Sequence, residues 1–553
     1  MKNIPEPSNF VEEIVVEDIK KKGLNKIITR FPPEPNGYPH IGHVKAIWIN
    51  FTTAQKFGGY TNLRMDDTNP EKEKQEFVES MVDGIKWLGF KPKHLYYASD
   101  YYGKLYKYAI RMIKNGKAYV CDLSADEVSK NRGTFTTPGV ESPYRNRSVE
   151  ENLRLFKEMR AGKYPDGTKT LRAKIDMASP NLNMRDPLMY RILHADHFRQ
   201  GNKWCIYPIY DFAHPLSDAI EGITNSLCTL EFEDHRPLYD WFIKEAGIKE
   251  NKRPRQTEFS KLYVEGSIMG KRHIKKMIDL GYIDGFDDPR LLTVSGMKRR
   301  GYSAAGLLDF VARVGVAKEN TVVETQYLEY CIRNDLNKIA TRVMTVLKPL
   351  KVIITNYPVG KQELLDMENN PNDKDEGRHF VKFERELYIE QEDFMEVPPP
   401  KYYRLTPGGM VRLKGAYIIK CNNIVKDDKG NTDHLECEYI PESKSGNDSS
   451  GIKVKGTIHW VNVNDCIDLT VSNFVPIVKE GMTFEGDVDA VFNHDSKTVT
   501  EGAKAEPFIL EVPTGKQMQF MRQGYYVKDV KFPEQNVYIN TVGLKDSYKP
   551  NAQ

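Results

Sequence analysis

His40-Ile41-Gly42-His43 sets two imidazoles three residues apart, after a strand-like run, Lys26 to Phe31, and a turn-rich Pro32-Pro33-Glu34-Pro35-Asn36-Gly37. If the amphipathic stretch Val44 to Phe57 is a helix opened by this motif, both histidines fall in its first turn on nearly one face, beside the unpaired N–H groups of a helix start. Such a point favours anions, and a polyphosphate is the ligand it suits. Gly42 lets that ligand approach the backbone. A lone H-x-x-H also arises by chance at helix starts, so the motif needs company. Asp66 is its first companion, expected at the carboxyl end of a strand, Tyr60 to Met65, where α/β sheets bind ligands. The competing role for Asp66-Asp67 is to cap the turn that follows the strand.

Positioning these groups takes a parallel sheet with crossover helices. Lys26 to Phe31, the helix after it, Tyr60 to Met65 and a second helix, Glu71 to Leu88, read as the first half of a nucleotide-binding α/β domain. From about Asp100 to Lys203 the pattern changes to helices and Gly/Pro-punctuated loops, as an insertion would show. Apolar patterning resumes over Trp204 to Phe232, with a helix expected at Leu216 to Ile223. Helical periodicity dominates Asp287 to Leu347, including Ala304 to Val314 and Thr325 to Ile332. Beyond Leu350, Lys351 to Thr355, Val411 to Lys420, Ile452 to Val461 and Met482 to Val491 have strand composition, and one or two β-barrel modules are expected. Glu442 to Ser450 reads as a Ser/Gly-rich flexible loop.

The 553 residues exceed one hydrophobic core, and 40% hydrophobic with 28% charged residues describes a soluble protein. The absence of a membrane-length apolar run or a signal-like N-terminus leads us to expect a cytosolic location. Seven scattered cysteines without C-x-x-C suggest neither a disulfide framework nor a zinc knuckle. A net charge of +3 excludes nucleic-acid binding by bulk charge alone. Locally, residues 252–300 hold twelve Lys/Arg against six Asp/Glu; runs of this kind are commonly solvated helix faces.

Thr29 to Gly37 before the histidine motif, and Asn62-Leu63-Arg64-Met65-Asp66-Asp67-Thr68-Asn69-Pro70 after it, resemble the class I glutaminyl- and glutamyl-tRNA synthetases. Gly201 to Pro208, Asp211-Phe212-Ala213-His214, Glu221 to Leu227, Phe286 to Arg290, Gly456 to Val461 and Asn540 to Leu544 extend the resemblance from about residue 25 to the end, closest to the glutaminyl branch. It implies a mixed α/β and β fold: a Rossmann-type nucleotide-binding domain (1–100 and 210–262), an inserted acceptor-stem-binding domain (101–209), a signature-loop and helical subdomain (263–345) and two anticodon-binding β-barrels (346–553). The implied chemistry is adenylation of an amino-acid carboxylate by ATP, with Mg²⁺ carried on the ATP and no dedicated protein site, then acyl transfer to the terminal adenosine of a tRNA. Positioning and charge neutralisation carry such a reaction.

By the same resemblance His40, His43 and Lys271 are catalytic. Ile268-Met269-Gly270-Lys271-Arg272 stands where the family has a Met-Ser-Lys loop, with Gly270 replacing the serine. ATP contacts are implied for Glu34, Pro35, Asn36, His40, Ile41, Gly42, His43, Val44, Lys45, Ala46, Thr229, Lys261, Leu262, Met269, Gly270 and Lys271. Asp66 matches the ligand of the substrate ammonium. Tyr210 matches the reader of the side-chain amide, with Arg30 and Gln256 nearby. Cys228 stands where glutamyl enzymes tend to carry an arginine that pairs with the substrate carboxylate, so L-glutamine is the expected amino acid.

For RNA, Phe135 matches a bulky residue on a hairpin tip that opens the first acceptor base pair, and Asp234 an acceptor-stem reader. Arg333, Arg404, Arg412, Gln519 and Arg522 are expected to touch the anticodon arm. A monomer acting on tRNA(Gln) follows from the resemblance. Its rivals are a glutamyl-tRNA synthetase with a β-barrel anticodon module, a silent RNA-binding paralogue, and a small-molecule nucleotidyltransferase, which would not need the β-rich C-terminal region.

Overall fold

A computed structural model describes residues 4–482 and 487–545, which fall into two units, one of residues 1–263 with 311–323 and one of 264–310 with 324–553. In the first unit, α1 (Phe10–Lys22) precedes β1 (Ile28–Phe31), α2 (Ile41–Lys56), β2 (Tyr60–Met65), α3 (Gln75–Trp87) and β3 (Leu95–Tyr97). The three strands are parallel, with Ile28 opposite Tyr60 and Leu63 opposite Leu95. The β–α–β crossover buries Ile41, Val44, Ile47, Ile49 and Phe51 of α2, which is why that stretch is apolar on one side.

The chain then makes α4 (Tyr102–Lys114), β4 (Ala118–Cys121), α5 (Ala125–Asn131), α6 (Val149–Arg160), β5 (Thr170–Ala173), β6 (Leu188–Ile192) and β7 (Ile206–Pro208), with β4 to β7 forming an antiparallel sheet in chain order. It returns through α7 (Tyr210–Glu221), β8 (Asn225–Thr229), α8 (Arg236–Glu245) and β9 (Arg255–Phe259), with β8 and β9 parallel. Thr224 joins this pair to β1: its N–H donates to Ile28 O, and Ile28 N–H donates to Thr224 Oγ1, both at 2.9 Å. The parallel strands therefore run β3-β2-β1-β8-β9, and the chain order reverses between β1 and β8. Ligands bind at the carboxyl ends of strands beside such a reversal.

The second unit carries helices Lys271–Asp279, Val294–Arg299, Ala304–Val314 (its last four residues lying in the first unit) and Thr325–Ile339, and two seven-stranded sheets. One sheet spans Pro349–Ile354 to Val461–Asn462 around buried Trp460, Phe383 and Tyr357. The other begins at Thr341–Val343 and Thr345–Val346, which occupy its opposite ends although one residue separates them, and takes its remaining strands from Ile467 onward. That closure makes it barrel-like.

Several expected elements are corrected. The helix expected from Glu71 starts at Gln75, because Asn69 N–H donates to Glu73 Oε1 at 2.7 Å and holds a turn there. The one expected at Leu216 starts at Tyr210 and runs through Pro215, a residue that reads as a helix start. Val411 to Lys420 is two strands, Met410–Leu413 and Ile418–Lys426, split by a turn with Gly415 at φ 70°. Ile452 to Val461 contributes only Thr457–Ile458 and the start of Val461–Asn462. Of Met482 to Val491, residues 483–486 lie outside the described residues, and Val488–Val491 is a short helix capped by Asp487.

Candidate active site

His40 is the N-cap of α2 and His43 its third residue. Nδ1 of His40 accepts from Gly42 N–H at 3.1 Å, and His40 N–H donates to Nδ1 of His43 at 3.1 Å. Two imidazoles thus perform the capping that Ser and Glu perform elsewhere. An accepting Nδ1 places the proton of a neutral ring on Nε2, so both histidines offer an Nε2–H donor. Burial lowers His40 to about 4 and His43 well below its ordinary value, with the neighbouring ring adding to the second effect, so both are neutral at pH 7. Gly42 is required by space: a Cβ there would lie 2.9 Å from His40 Cε1.

Two residues beyond His43 in α2, Lys45 is buried and donates to Ser260 Oγ at 2.9 Å; burial lowers it to about 8. Asn36 N–H turns back to Glu34 O at 2.8 Å, leaving Glu34 exposed and Pro35 buried. Ile41 and Val44 are buried and Ala46 half-buried. Thr229 and Lys261 meet through Glu231, at 2.7 and 2.6 Å, beside buried Leu262.

Asp66 follows β2 directly; its N–H donates to Pro33 O at 2.9 Å and its Oδ1 accepts from Thr68 at 3.3 Å. Burial raises it to about 6, against the opposing pull of Arg64. Asp67 takes the capping role instead: it accepts from Ser99 N–H at 2.8 Å and Ser99 Oγ at 2.6 Å.

Beneath Tyr210 lies a buried ionic network. Arg30 pairs with Asp218 at 3.0 Å and donates to Leu227 O and Ser226 Oγ. Arg64 pairs with Asp218 at 2.8 Å and with Glu221 at 3.2 Å. His214 touches both guanidiniums and is held neutral by burial. Two cations therefore face two carboxylates. The Tyr210 ring stacks on His214, with centroids 4.7 Å apart, and its hydroxyl has no hydrogen-bond partner among the described residues. Cys228 is half-buried on β8, and burial pushes its thiol up, so it is uncharged. Gln256 gives its Nε2 to Phe232 O at 3.0 Å and to Glu258 Oε1 at 2.8 Å.

In the second unit Met269 is half-buried, Gly270 is the N-cap of Lys271–Asp279 without a side-chain cap, and Lys271 is the exposed first residue of that helix.

Phe135, whose ordinary place would be a core, is 81% exposed. Its loop is held by Arg185 Nη1, which donates to the carbonyls of Arg132, Thr134 and Thr137 at 2.8, 3.0 and 2.8 Å. Asp234 is exposed. Arg412, Gln519 and Arg522 line one cavity of about 630 Å³, joined by Arg342 and His459, which sequence reasoning missed. Arg404 lies beside Asp393 at 3.4 Å, the carboxylate that also pairs with Arg522 at 2.6 Å. Arg333 is the exception: it is buried, with Nε donating to Gly543 O at 2.7 Å, and so is placed to brace the fold. Arg64, Asp218 and Glu258 were also missed; the only local signal was the i, i+4 spacing of His214 and Asp218.

The family description "tRNA synthetases class I (E and Q), catalytic domain" matches residues 26–338, and the anti-codon binding domains of the same family match 340–440 and 457–529. The chain is 52% identical over 547 residues to a glutamine–tRNA ligase of Clostridium kluyveri, covering 98% of each. It is 51% identical to that of Clostridium perfringens, over 99% of this chain and 100% of the relative. To that of Bradyrhizobium diazoefficiens it is 48% identical, over 98% and 97%. A solved glutamate–tRNA ligase from Elizabethkingia meningosepticum aligns with TM-score 0.43 at 18% identity, covering 56% of this chain and 70% of that one.

Proposed function

We propose a reading that starts from one premise: the chain belongs to the class I tRNA synthetases of the E and Q type. It is a ligase that joins glutamine to tRNA at the expense of ATP. The glutamine α-carboxylate attacks the α-phosphorus of ATP, and pyrophosphate leaves with the electrons of the broken P–O bond. A ribose hydroxyl of the terminal adenosine then attacks the acyl carbon, and AMP leaves. His40 and His43 donate from Nε2 to phosphate oxygens as charge builds there, and because both rings are neutral each keeps Nδ1 as the acceptor of its capping N–H while Nε2–H faces the phosphates. Lys271 supplies the positive charge that neutralises the triphosphate; this assignment is supported by its place in the signature loop. Asp66 holds the substrate ammonium, and Tyr210 reads the side-chain amide.

Mg²⁺ accompanies the ATP phosphates. Among the described residues no group of three or more His, Cys, Asp or Glu side chains gathers to hold a metal ion, so no step is assigned to a protein-held one. Among them, too, no helix is long and apolar enough to cross a membrane. We place the enzyme in the cytoplasm as a monomer that recognises tRNA(Gln) through Phe135, Asp234 and the cavity of Arg412, Gln519 and Arg522.

The observation that carries the choice of glutamine is charge balance in the pocket floor. Arg30 and Arg64 are matched by Asp218 and Glu221, and Cys228 is uncharged. A glutamate side chain would bury its charge there without a free cation, whereas an amide need only find hydrogen bonds. Charging of total tRNA with labelled glutamine or glutamate, by wild type and by Cys228→Arg, tests this. Wild type is expected to prefer glutamine and the variant to gain glutamate; better charging of glutamate by wild type refutes the reading.

A further inference from the structure

One guanidinium holds the loop that carries Phe135. Arg185 is 3% exposed, and its Nη1 donates to Arg132 O at 2.8 Å, Thr134 O at 3.0 Å and Thr137 O at 2.8 Å. Three carbonyls that turn their negative ends to one point repel one another unless a cation or water stands there, and here the cation is part of the fold. The loop is pinched to match: Gly133 has φ 71°, and a Cβ on it would lie 2.6 Å from both Thr137 O and Pro138 O. Arg185 Nε meanwhile donates to Ser179 O at 2.7 Å, so the same fork is tied back to its own segment.

That segment also reaches Asp234. Asn181 caps the turn Leu182–Met184; its Oδ1 accepts from Asn183 N–H at 2.9 Å and its Nδ2 donates to Asp234 O at 2.7 Å, so both ends of the amide are assigned. The far end of the segment is fixed by Asp186, a buried residue with φ 42°, a left-handed conformation that a side chain keeps only where its surroundings demand it. They do: its carboxylate accepts from Arg145 Nε at 2.7 Å, Ile175 N–H at 2.7 Å and Tyr119 OH at 3.1 Å, and its carbonyl accepts from Arg172 Nε at 2.7 Å. The backbone from which Arg185 extends is therefore rigid.

We propose that residues 179–186 form a bracket between the two acceptor-stem contacts, with Arg185 the positioning residue for Phe135 and Asn181 the positioning residue for Asp234. The bracket fixes the separation of the two contacts before tRNA arrives, so an exposed loop need not be ordered at the moment of binding. Unstacking a terminal base pair costs a few kcal/mol, roughly, and a ring on a loose loop would yield before the pair does. The inference rests on the reading of Phe135 and Asp234 proposed above.

Aminoacylation by the full-length enzyme of two tRNA(Gln) transcripts, one with its first acceptor pair intact and one mismatched there, tests the bracket. Arg185→Met removes the charge and keeps most of the stem. With the intact transcript the KM for tRNA is expected to rise several-fold, as for Phe135→Ala, since a displaced ring does no more than an absent one. With the mismatched transcript the rise should stay below about twofold, because a mismatch opens at little cost. Phe135→Ala should add nothing in the Arg185→Met background. Arg185→Lys keeps a donating cation without the fork; it should recover most of the affinity, with any remaining penalty confined to the intact transcript. Asn181→Asp sets an oxygen against Asp234 O and should raise the KM for both transcripts, an effect absent in an Asp234→Ala background. Equal penalties on the two transcripts for either Arg185 variant, no penalty in Arg185→Met, or additive effects with Phe135→Ala or Asp234→Ala overturn the inference alone. Wild-type kinetics on both transcripts in Phe135→Ala overturn the wedge reading and the inference with it.

Discussion

His40 and His43 cap one helix for each other: the backbone of the first donates to the ring of the second at 3.1 Å, while the first ring accepts from Gly42. Structure and chemistry are divided between the two nitrogens of each ring, Nδ1 inward and Nε2 outward. His40→Asn separates them, because asparagine is a good N-cap but lacks the Nε2 donor. Its melting temperature should stay within a few degrees of wild type, while the rate of ATP–pyrophosphate exchange falls by about a hundredfold, as for loss of one transition-state donor. A rate near wild type would remove His40 from catalysis.

The pH dependence follows from opposite shifts. His40 is lowered to about 4, so its contribution to stability is fully present above the unfolded value near 6.5 and is lost as pH falls toward 4. Asp66 is raised to about 6 and works the other way: its contribution is present below the unfolded value near 3.9 and is lost as pH rises through 6. For binding, the ionised Asp66 is the form that attracts an ammonium. The KM for glutamine should therefore rise as pH falls below about 6, with no break near 6.5 in the catalytic rate from the histidines. Kinetics between pH 5 and 8 with wild type and Asp66→Asn would check this; a pH-independent KM rules the assignment out.

Gly270 caps Lys271–Asp279 with φ −70°, a conformation open to any residue, so nothing in the backbone demands glycine. Restoring serine adds an N-cap hydrogen bond but sets a Cβ 2.7 Å from His273 Nδ1, which must move. Gly270→Ser should change stability by only a few tenths of a kcal/mol, roughly the difference between these caps. Chemical denaturation measures it, and a loss of 2 kcal/mol or more, roughly the scale of overpacking, would mean that His273 cannot yield.

Phe135 has little to lose on truncation, being 81% exposed. Phe135→Ala should leave the melting temperature unchanged and raise the KM for tRNA several-fold, with the KM for glutamine unaffected. Equal tRNA kinetics in the two proteins would remove it from the acceptor stem.

Arg522 and Gln519 line the same cavity, but their removal differs in kind. Arg522→Ala leaves Asp393, whose side chain is 1% exposed, with Arg404 at 3.4 Å in place of the closer pair, and should cost roughly 1–3 kcal/mol of stability as an under-satisfied buried carboxylate. Gln519→Ala breaks only a 3.1 Å contact with Tyr525 OH and should weaken tRNA binding with stability nearly intact. Denaturation and tRNA titration of both variants separate the two effects.

Much of this was legible in advance. A strand, a turn-rich loop and H-x-G-H predict an anion site at a helix start because those signals are local, and Tyr60–Met65 ends at Asp66 as expected. Other expectations moved: the helix expected from Leu216 starts at Tyr210, and Arg333, expected at the anticodon arm by resemblance, is interior.

The sequence by itself determined which chemistry is present and where its strands and helices place it, through periodicity, capping and motif order. Only the tertiary structure decided the state of those groups. The sequence placed Arg30 only near the amide reader; folding set it against Asp218, 188 residues away. The same folding neutralised both histidines and turned the Gln256 amide toward Glu258. A side chain's charge and hydrogen-bond orientation depend on burial and on partners distant in the chain, and those exist only once the chain has folded.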